Sequence, residues 1–351
     1  MKVAVIYNEP RNTASEDHWL RRSDPGYHPP SAQFIDASEH GVLDQMRSIA
    51  DALGDHGHHV IVFSADDDTQ KLCSFLSTEQ PEVIFNCCEA ILGQSKLELN
   101  VAAMYELFRI PYTGSPPLTL GLALDKALAK AVFLAHGIPT PRHQLFERKE
   151  FDAIDPQLRF PLIVKPVHED ASIGIDSNAI VSDAASLAKR VRFIQKEFEQ
   201  PALAEEFIDG RELNVAVLAA SDGMFTTLPI SEITFDRVPE GMPRIVSYEA
   251  KWVEESPLYQ TTLPECPAKL PDNIAHEART IALKAANAVG LRDYGRVDMR
   301  MDANGKLFVL EANPNPDISE DAGFMRAARA SGRTFAGTIN EILDRATERA
   351  R

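Results

Sequence analysis

The sequence lacks most of the features that mark secreted, membrane-spanning or nucleic-acid-binding proteins. Its 351 residues include four cysteines, which form no CxxC pair and no disulfide framework of the secreted type. No apolar run approaches the ~18 residues that a membrane-spanning helix needs. Acidic residues outnumber basic ones by 52 to 36, giving a formal charge of −16. The basic surface that nucleic acids or anionic membranes attract is therefore also missing.

Other absences narrow the enzyme classes. The sequence contains no internal repeat, no low-complexity tract and no persuasive Ser-His-Asp or Cys-His arrangement, so a protein nucleophile is not expected. The first residues run directly into an apolar segment, 3–7, without the charged leader of a secretory signal. Together with the sparse cysteines, this pattern predicts a protein of the reducing cytoplasm.

The N-terminal part, residues 1–115, has the pattern of a doubly wound α/β domain. Its elements are predicted in the order strand 3–7, helix 39–55, strand 59–64, a short helix, strand 82–86 and helix 95–108. Strands that alternate with helices in this way favour a parallel sheet. A long polar insertion at 9–36 is interpreted as a loop or lid, and the breakers at 111–117 predict the end of the domain.

The remainder is predicted to form two α+β lobes, residues 116–210 and 211–351. The first opens with an Ala- and Leu-rich helical stretch, followed by strands at 143–146, 162–166, 179–182 and 203–206 and a helix at 184–199. The second holds strands at 212–220 and 224–233, a polar stretch at 234–262, a helix at 272–289, a hairpin and a C-terminal helix. The fold class predicted for the whole chain is α/β.

The hairpin at 294–316 carries the clearest chemistry. Val297, Met299 and Met301 alternate with polar residues before an Asp-Ala-Asn-Gly turn, the pattern of a half-buried strand. Asp298 lies on the first strand, while Glu311 and Asn313 end the second, so their oxygens are expected to converge. Two carboxylates and an amide oxygen suit Mg²⁺, which binds through carboxylates and substrate phosphates. The alternative is a solvated hairpin with ordinary surface charge.

Two further segments are candidates for holding a nucleotide. Lys165 ends a strand before the tight loop 168–175, which contains Ser172, and inward-facing backbone N–H groups of such a loop bind phosphate. Lys126, on the helix before it, offers a second positive charge. The alternative for both is a plain turn with solvated lysines.

A strand-to-strand passage follows at residues 205–208, comprising Glu205, Glu206, Phe207 and Ile208. A passage of this kind leaves backbone donors and acceptors available for an adenine edge, and Glu212 could then reach ribose hydroxyls. The alternative is a connecting segment with exposed acids.

Taken in order, these segments resemble the ATP-grasp superfamily and, within it, the D-alanine–D-alanine ligase family. The resemblance covers roughly residues 1–342. Its most specific motifs are IPYTGS at 110–115 with Asp125-Lys126, IVKP at 163–166, YEAK at 248–251, GRVD at 295–298 and LEAN at 310–313. It implies a three-domain ATP-grasp architecture, in which the doubly wound domain is followed by two lobes that clasp ATP.

The resemblance also implies roles for individual residues. Lys126 and Lys165 would contact ATP phosphates, and Lys251 would lie in the loop that closes over them. Glu205 with the backbone of Glu206 and Ile208 would take the adenine, beside Phe207, and Glu212 the ribose. Asp298, Glu311 and Asn313 would hold two Mg²⁺ ions, with Mn²⁺ as an alternative, and Arg296 would steady the transferring phosphoryl group.

The departures from the family concentrate on the amino-acid side. Ala171 stands in the phosphate loop where the family has a serine, and Trp252 stands where it has a tyrosine, so a hydroxyl link between the loops is expected to be lost. The segment 314–323 is richer in acids, including Asp317, and would repel a free carboxylate or attract an amine. Glu39 and Glu98 are candidates for binding the amine of the substrate.

The function predicted is an ATP-dependent carboxylate–amine ligase that joins amino acids or a peptide through an acylphosphate. Authentic D-alanine–D-alanine ligase activity and ATP-grasp phosphotransfer remain as alternatives, as does a non-catalytic ATP-binding module, although a pure binder need not keep two-metal ligands. The expected partners are small-molecule substrates, not nucleic acid or membrane, and the oligomeric state stays open, a homodimer included.

Overall fold

Three sheets, each formed by a consecutive part of the chain, make up the protein. The computed structural model describes residues 1–8, 36–65, 68–92, 94–147 and 153–349, with backbone alone for residues 36–40. The predicted lid at 9–36 therefore lies outside the described residues except at its last position. Among the described helices, none is both long and apolar enough to cross a membrane.

The N-terminal sheet has three parallel strands in the order β2-β1-β3. Its elements are β1 (Lys2–Tyr7), α1 (Asp36–Asp55), β2 (His59–Ser64), α2 (Thr69–Glu79), β3 (Val83–Cys87) and, after a short 3-10 turn, α3 (Glu98–Leu107). Strand β3 is buried along its whole length, as expected for a parallel strand covered on both faces. The predicted order of strands and helices is confirmed here, with shifts of a few residues at the ends.

The helical stretch predicted over residues 118–135 is confirmed, but it is divided into two helices that meet at Asp125. They are α4 (Pro117–Leu124) and α5 (Lys126–Ala135). Asp125 has an extended backbone, and its carboxylate accepts a hydrogen bond from the Leu128 amide at 2.9 Å. An aspartate that caps a helix in this way satisfies a free N–H group and starts a new helix. Lys126 is consequently the first residue of α5.

The central sheet has four antiparallel strands in the order β4-β7-β5-β6. Its elements are β4 (His143–Phe146), β5 (Leu162–Pro166), β6 (Ile180–Val181), α6 (Ala184–Glu197) and β7 (Ala202–Glu206). Helix α6 begins with a capping box in which Asp183 and Ser186 bond reciprocally. Among the described residues, those that form the apolar core of this lobe lie between 146 and 204.

The third sheet is antiparallel, with the order β11-β10-β8-β12-β13 and β9 beside β8. Its strands are β8 (Gly210–Ala219), β9 (Phe225–Thr227), β10 (Ser231–Thr234), β11 (Leu263–Glu265), β12 (Tyr294–Asp302) and β13 (Leu307–Asn313). The single strand predicted at 224–233 is wrong. Its two halves pair with opposite ends of β8, and between them lies Pro229, which has no N–H to donate to a ladder.

Helices complete the C-terminal half. They are α7 (Tyr248–Trp252), α8 (Pro257–Thr261), α9 (Asp272–Val289), α10 (Gly323–Ala330) and α11 (Phe335–Glu348). The predicted helix α9 is confirmed. The single C-terminal helix is wrong, because α10 ends at a turn through Gly332 with φ 89° and Thr334 caps α11.

The N-terminal domain and the C-terminal lobe share one apolar core. Residues of β1, α1 and β3 pack with residues of β8, β12, α10 and α11 in a single buried cluster. Asp293 reinforces this contact, since its carboxylate accepts from the Gly114 amide at 2.9 Å and pairs with Arg349. Arg349 also donates to the carbonyl of Tyr112 at 2.8 Å.

Candidate active site

One face of the third sheet is polar and the other apolar. Across β8 and β12, Glu212 pairs with Arg300, Asn214 with Asp298, and Ala216 with Arg296. The intervening residues point to the opposite face and are buried beneath α9: Leu213, Val215, Val217, Val297 and Met299. The period of two that predicted the hairpin therefore also collects the charged residues on one surface.

The predicted metal ligands are brought together on this polar face. Asp298 is the register partner of Glu311, and Arg296 is the partner of Asn313. The register shifts immediately after Asp298, and such a bulge changes the direction of a strand and its side chains. The sequence pattern gave no sign of this bulge.

The side chain of Asp298 already has protein partners. Its Oδ1 accepts from Arg296 at 2.8 Å and from Asn214 at 2.7 Å, while Oδ2 accepts from Arg296 at 2.8 Å. A carboxylate oxygen has two lone pairs, so Oδ2 keeps acceptor capacity for a cation. Carboxylate and amide oxygens from Asp298, Glu311 and Asn313 fit Mg²⁺ chemically. Within the described ranges, no group of three His, Cys, Asp or Glu residues is placed to hold a metal.

Lys126 lies between the phosphate loop and the polar face. Its Nζ donates to the Glu169 carbonyl and is 3.4 Å from Asp170 and 3.9 Å from Glu311 Oε2. Burial opposes its charge, but Asp170 and Glu311 outweigh burial and raise the pKa of Lys126 above its ordinary value. The first position of α5 thus puts a fully charged lysine beside the predicted metal ligands.

The phosphate loop has the tight conformation predicted for it. Ala171, Ser172 and Gly174 all have positive φ, at 54°, 63° and 75°. A side chain at Gly174 would meet Pro166 Cγ at 2.6 Å, so the loop requires glycine there. Ser172 does not point its hydroxyl at an open cleft; it donates to the Val246 carbonyl at 2.8 Å.

The segment around Lys251, called the covering segment below, is joined to this loop through Trp252. Neither Ala171 nor Trp252 has a hydroxyl to link the two loops. The loops remain connected, because Trp252 Nε1 donates to the Ala171 carbonyl at 2.8 Å. The Lys251 ammonium lies 4.8 Å from the centre of the Trp252 ring, a cation–π distance. Burial, and then the charge of Arg296, lowers the pKa of Lys251.

A buried cluster of two lysines and one carboxylate lies on the central lobe. Glu205, 1% exposed, is 2.6 Å from Lys165 and 2.7 Å from Lys130. Burial opposes its ionisation, but the two lysines more than offset this and lower the pKa of Glu205 to about 2. Burial lowers the pKa of Lys130 to about 8.

Lys130 was missed by the sequence reasoning. Its one signal is a position four residues after Lys126 on the same helix, which places both lysines on one face. Lys130 donates to Thr140 Oγ1 at 2.8 Å, and Thr140 in turn donates to the Val309 carbonyl at 2.8 Å. The lysine cluster is thereby connected to β13 of the third sheet.

The predicted adenine segment lies beside Arg300. The Glu206 amide donates to the Arg142 carbonyl and the Phe207 amide to the Pro161 carbonyl, both at 2.9 Å. The Ile208 carbonyl accepts from Arg300 at 2.9 Å. Glu212 also pairs with Arg300, and burial raises the pKa of Glu212 against that attraction.

A cavity of about 480 Å³ lies between the phosphate loop and the N-terminal domain. Candidate residues from the N-terminal domain and the C-terminal lobe line it: Glu98, Lys251, Trp252, Arg296, Glu311, Asn313 and Asp317. Its volume is within the range of about 300–1,000 Å³ that is usual for small-molecule sites. Glu39 lies in α1, but its side chain is outside the described residues.

Two acids define the amino-acid side of this cavity. Glu98 is 8% exposed and accepts from Asn315 at 3.1 Å; burial, followed by the charges of Glu89 and Asp170, holds its pKa well above the ordinary value. Asp317 accepts from the Ser319 amide at 2.8 Å, and its charge acts on Lys251 and Arg296. The predicted acidic character of this wall is therefore present in the fold.

Comparison with known proteins shows the family to which the chain belongs. The family model described as D-ala D-ala ligase C-terminus matches residues 132–344. A D-alanine–D-alanine ligase of Bordetella petrii is 36% identical over 73% of this chain and 74% of its own length. One from Sphingopyxis alaskensis is 32% identical over 86% of this chain and 91% of its own length. The chain belongs to the D-alanine–D-alanine ligase family.

Two further similarities complete the comparison. An uncharacterized protein of Sinorhizobium fredii, y4sG, is 34% identical over 86% of this chain and 87% of its own length. The solved D-alanine–D-alanine ligase from Bacillus anthracis complexed with ATP has a TM-score of 0.74 and 19% identity, covering 100% of this chain and 98% of that one. The predicted α/β ATP-grasp architecture is thereby confirmed. The predicted class, an ATP-dependent ligase of the D-alanine–D-alanine ligase type, is confirmed at the level of the family.

Proposed function

We propose that this protein is an ATP-dependent ligase that joins the carboxylate of one amino acid or short peptide to the amine of another. The carboxylate oxygen takes the γ-phosphoryl group of ATP, which forms an acylphosphate and releases ADP. The amine then attacks the acyl carbon, phosphate leaves with the bonding electrons, and the amine loses a proton as the amide forms. A carboxylate needs this activation because oxide is a poor leaving group.

The observation that carries the proposal is the convergence of positive side chains on Glu311 and Asp298. Lys126, at the start of α5, lies 3.9 Å from Glu311, and the charges of Glu311 and Asp298 act on both Arg296 and Lys251. Positive side chains from three elements therefore meet a carboxylate pair. Phosphoryl transfer depends mainly on such positioning and charge compensation.

The nucleotide would lie between the central lobe and the polar face. Lys126, Lys165 and Lys251 would contact phosphates, with Ser172 shaping the loop that holds them. Glu205, Glu206, Phe207 and Ile208 would form the base site and Glu212 would accept from the ribose hydroxyls. Because Glu205 already binds Lys130 and Lys165, its first role would be to fix Lys165 in place.

Asp298, Glu311 and Asn313 would hold Mg²⁺, as one or two ions, and Mn²⁺ suits the same oxygens. The metal would neutralise charge on the transferring phosphoryl group. Arg296 would add a fixed positive charge beside it, and its two hydrogen bonds to Asp298 keep both groups oriented. The covering segment would exclude water from the acylphosphate.

The substrates would occupy the amino-acid side of the cavity. Glu98 and Asp317, with Glu39 as a further candidate, would favour an amine over a free carboxylate at this wall, and Trp252 would limit its size. These residues support a substrate pair other than two D-alanines.

A second candidate is D-alanine–D-alanine ligase activity itself. Relatives that carry that name are 32–36% identical to this chain, and the metal and phosphate residues fit the reaction equally well. Under this alternative, the substrate pocket has been rebuilt around Ala171 and Trp252.

Phosphate release from ATP, measured with amino acids and dipeptides offered singly and in pairs, tests the proposal. We expect release that depends on both a carboxylate donor and an amine acceptor, with an amide product of matching yield. A phosphorylated product without free phosphate would instead indicate a phosphotransferase and overturn the ligase proposal. A response confined to D-alanine would select the second candidate.

The organisation of the molecule adds three subsidiary proposals. Domain limits at 115/116 and 210/211 are supported by the three sheets, although α5 packs on the third sheet. A location in the cytoplasm is proposed because the four cysteines are all free. A homodimer is proposed as the oligomeric state.

A further inference from the structure

Arg300 is a buried charge that the proposed reaction does not use. It lies on β12 opposite Glu212 and is 2% exposed. A guanidinium keeps its charge under all ordinary conditions, and a buried charge is tolerated only where it is paired and hydrogen-bonded. The partners of Arg300 therefore indicate what it is for.

These partners come from both edges of the proposed nucleotide site. Arg300 Nε and Nη2 donate to Glu212 Oε2 at 3.2 Å and 2.9 Å, and Nη1 donates to the Ile208 carbonyl at 2.9 Å. The proposed ribose ligand and the proposed base segment are thus fixed by one planar group. Because a guanidinium presents its donors in a rigid fork, the relative position of the two is fixed as well.

A third segment is held by the same side chain. Arg300 donates to the Arg244 carbonyl, and its guanidinium lies 5.3 Å from the ring of Phe235 and 5.1 Å from that of Phe207. Phe235 and Arg244 belong to the stretch that leads from β10 into α7. The proposed base segment and the stretch between β10 and α7 therefore meet at Arg300.

The geometry at Glu212 leaves one oxygen for a ligand. Both N–H groups of Arg300 reach Oε2, and in the part of the chain that the structure describes no hydrogen bond reaches Oε1. We propose that Arg300 is a positioning residue that presents Glu212 Oε1 to the ribose hydroxyls and so makes the enzyme select nucleotides by their sugar. This inference rests on the proposed function, because it takes Glu212 as the ribose ligand.

Equilibrium binding of ATP and of 2′,3′-dideoxy-ATP, measured by calorimetry with Mg²⁺, tests the inference. A hydrogen bond to a charged group is worth enough to make the wild type bind ATP about tenfold or more tightly than the dideoxy nucleotide. In Arg300→Met, loss of the contacts to the base segment should weaken the binding of both nucleotides, and we expect ATP binding to weaken about tenfold more than dideoxy-ATP binding. The ratio of the dissociation constants of dideoxy-ATP and ATP should then approach one, as it should in Glu212→Gln.

The control is Arg211→Met, which removes another arginine–glutamate pair from the same sheet. Arg211 contacts Glu232 on the opposite face, so this variant should keep the sugar preference of the wild type. If Arg300→Met is misfolded by circular dichroism, Arg300→Lys decides, because one ammonium cannot make the fork and the preference should still fall.

Three outcomes would count against the inference, each in a different way. Equal weakening of ATP and dideoxy-ATP binding in the Arg300 variants would show a merely structural role. A wild type that binds both nucleotides equally would refute Glu212 as the ribose ligand while leaving the ligase proposal intact. A wild type that binds neither would overturn the proposed function together with the inference.

Discussion

The nucleotide side of the cleft and its amino-acid side are held together by different kinds of contact. On the nucleotide side, charged side chains are paired with charged side chains of other elements, as in Lys165 with Glu205 and Glu212 with Arg300. On the amino-acid side, Trp252 and Asp317 bond to backbone groups. A bond between two side chains restricts which amino acids can stand at both positions. A bond to a backbone group restricts only the position that supplies the side chain.

This difference predicts where single substitutions are tolerated. Replacing one member of a buried charged pair leaves the other unpaired, at a cost of about 3–5 kcal/mol. Trp252 carries no such penalty, because the Ala171 carbonyl accepts its hydrogen bond whatever side chain residue 171 has. The nucleotide side should therefore respond strongly to single substitutions and the amino-acid side weakly.

The largest effect is expected at Glu311. We predict that Glu311→Gln keeps ATP binding nearly intact but lowers phosphate release by about 100- to 1,000-fold, the usual cost of removing one preorganised electrostatic group. Calorimetric ATP binding and steady-state phosphate release on the same preparation measure both quantities. Glu277→Gln, on the exposed face of α9, serves as control, and undiminished release in Glu311→Gln would contradict the metal assignment.

A second strong effect concerns Glu205 and pH. Its pKa is about 2 in the fold against 4.5 for the ordinary group, so the unfolded chain takes up the proton first as pH falls. The stabilisation is fully present above about pH 4.5 and is lost towards pH 2, by roughly 1–3 kcal/mol.

Urea unfolding at pH 6, 4 and 3 measures this loss. The free energy of unfolding should fall less steeply with decreasing pH in Glu205→Gln than in the wild type. The exposed control Glu240→Gln should retain the wild-type slope. Identical slopes in all three proteins would refute the paired, ionised state of Glu205.

A moderate effect is expected on the amino-acid side, at Trp252. Trp252→Phe keeps an aromatic ring but removes the N–H donor to Ala171, so the cover is held less firmly over the acylphosphate. We predict that phosphate released per amide formed rises by about two- to tenfold, the value of one net hydrogen bond. Tyr259→Phe, on the neighbouring α8, should leave this ratio unchanged, and an unaltered ratio in Trp252→Phe would be the opposing result.

The smallest effect is expected at Ala171. Ala171→Ser alone should raise D-alanyl-D-alanine formation by no more than about tenfold, because one added hydroxyl supplies at most one hydrogen bond. Trp252 and the acids at 317–321 remain unchanged in this variant. Product formation from D-alanine, measured by chromatography, checks this, and a much larger gain would mean that residue 171 alone determines the substrate.

The sequence predicted the hairpin well because two independent signals agreed there. Alternation with a period of two and the Asp-Ala-Asn-Gly turn both fixed β12 and β13, and the family motif marked Asp298 and Glu311. The bulge after Asp298 was not predicted, because a local shift in register leaves the alternation almost unchanged.

Tertiary partners account for what the sequence could not predict. Lys130 and Arg300 have ordinary local patterns, a helix lysine and a polar strand residue, and their importance comes from Glu205 and Glu212, 75 and 88 residues away in the chain. The break at Asp125 was missed because apolar periodicity continues through it. Unlike those partners, the amide that Asp125 caps is local, at Leu128, so this signal was present in the sequence.

The separate core of the central lobe has a mechanical consequence. The described residues of its apolar cluster all lie between 146 and 204, whereas β1 and α11 belong to one cluster that joins the first and third sheets. When the cleft opens or closes, the four-stranded central lobe should therefore move as one rigid body relative to the first and third sheets. When nucleotide is added, the distance between labels on the first and third sheets should stay constant, while the distance from either of them to a label on the central lobe should shorten.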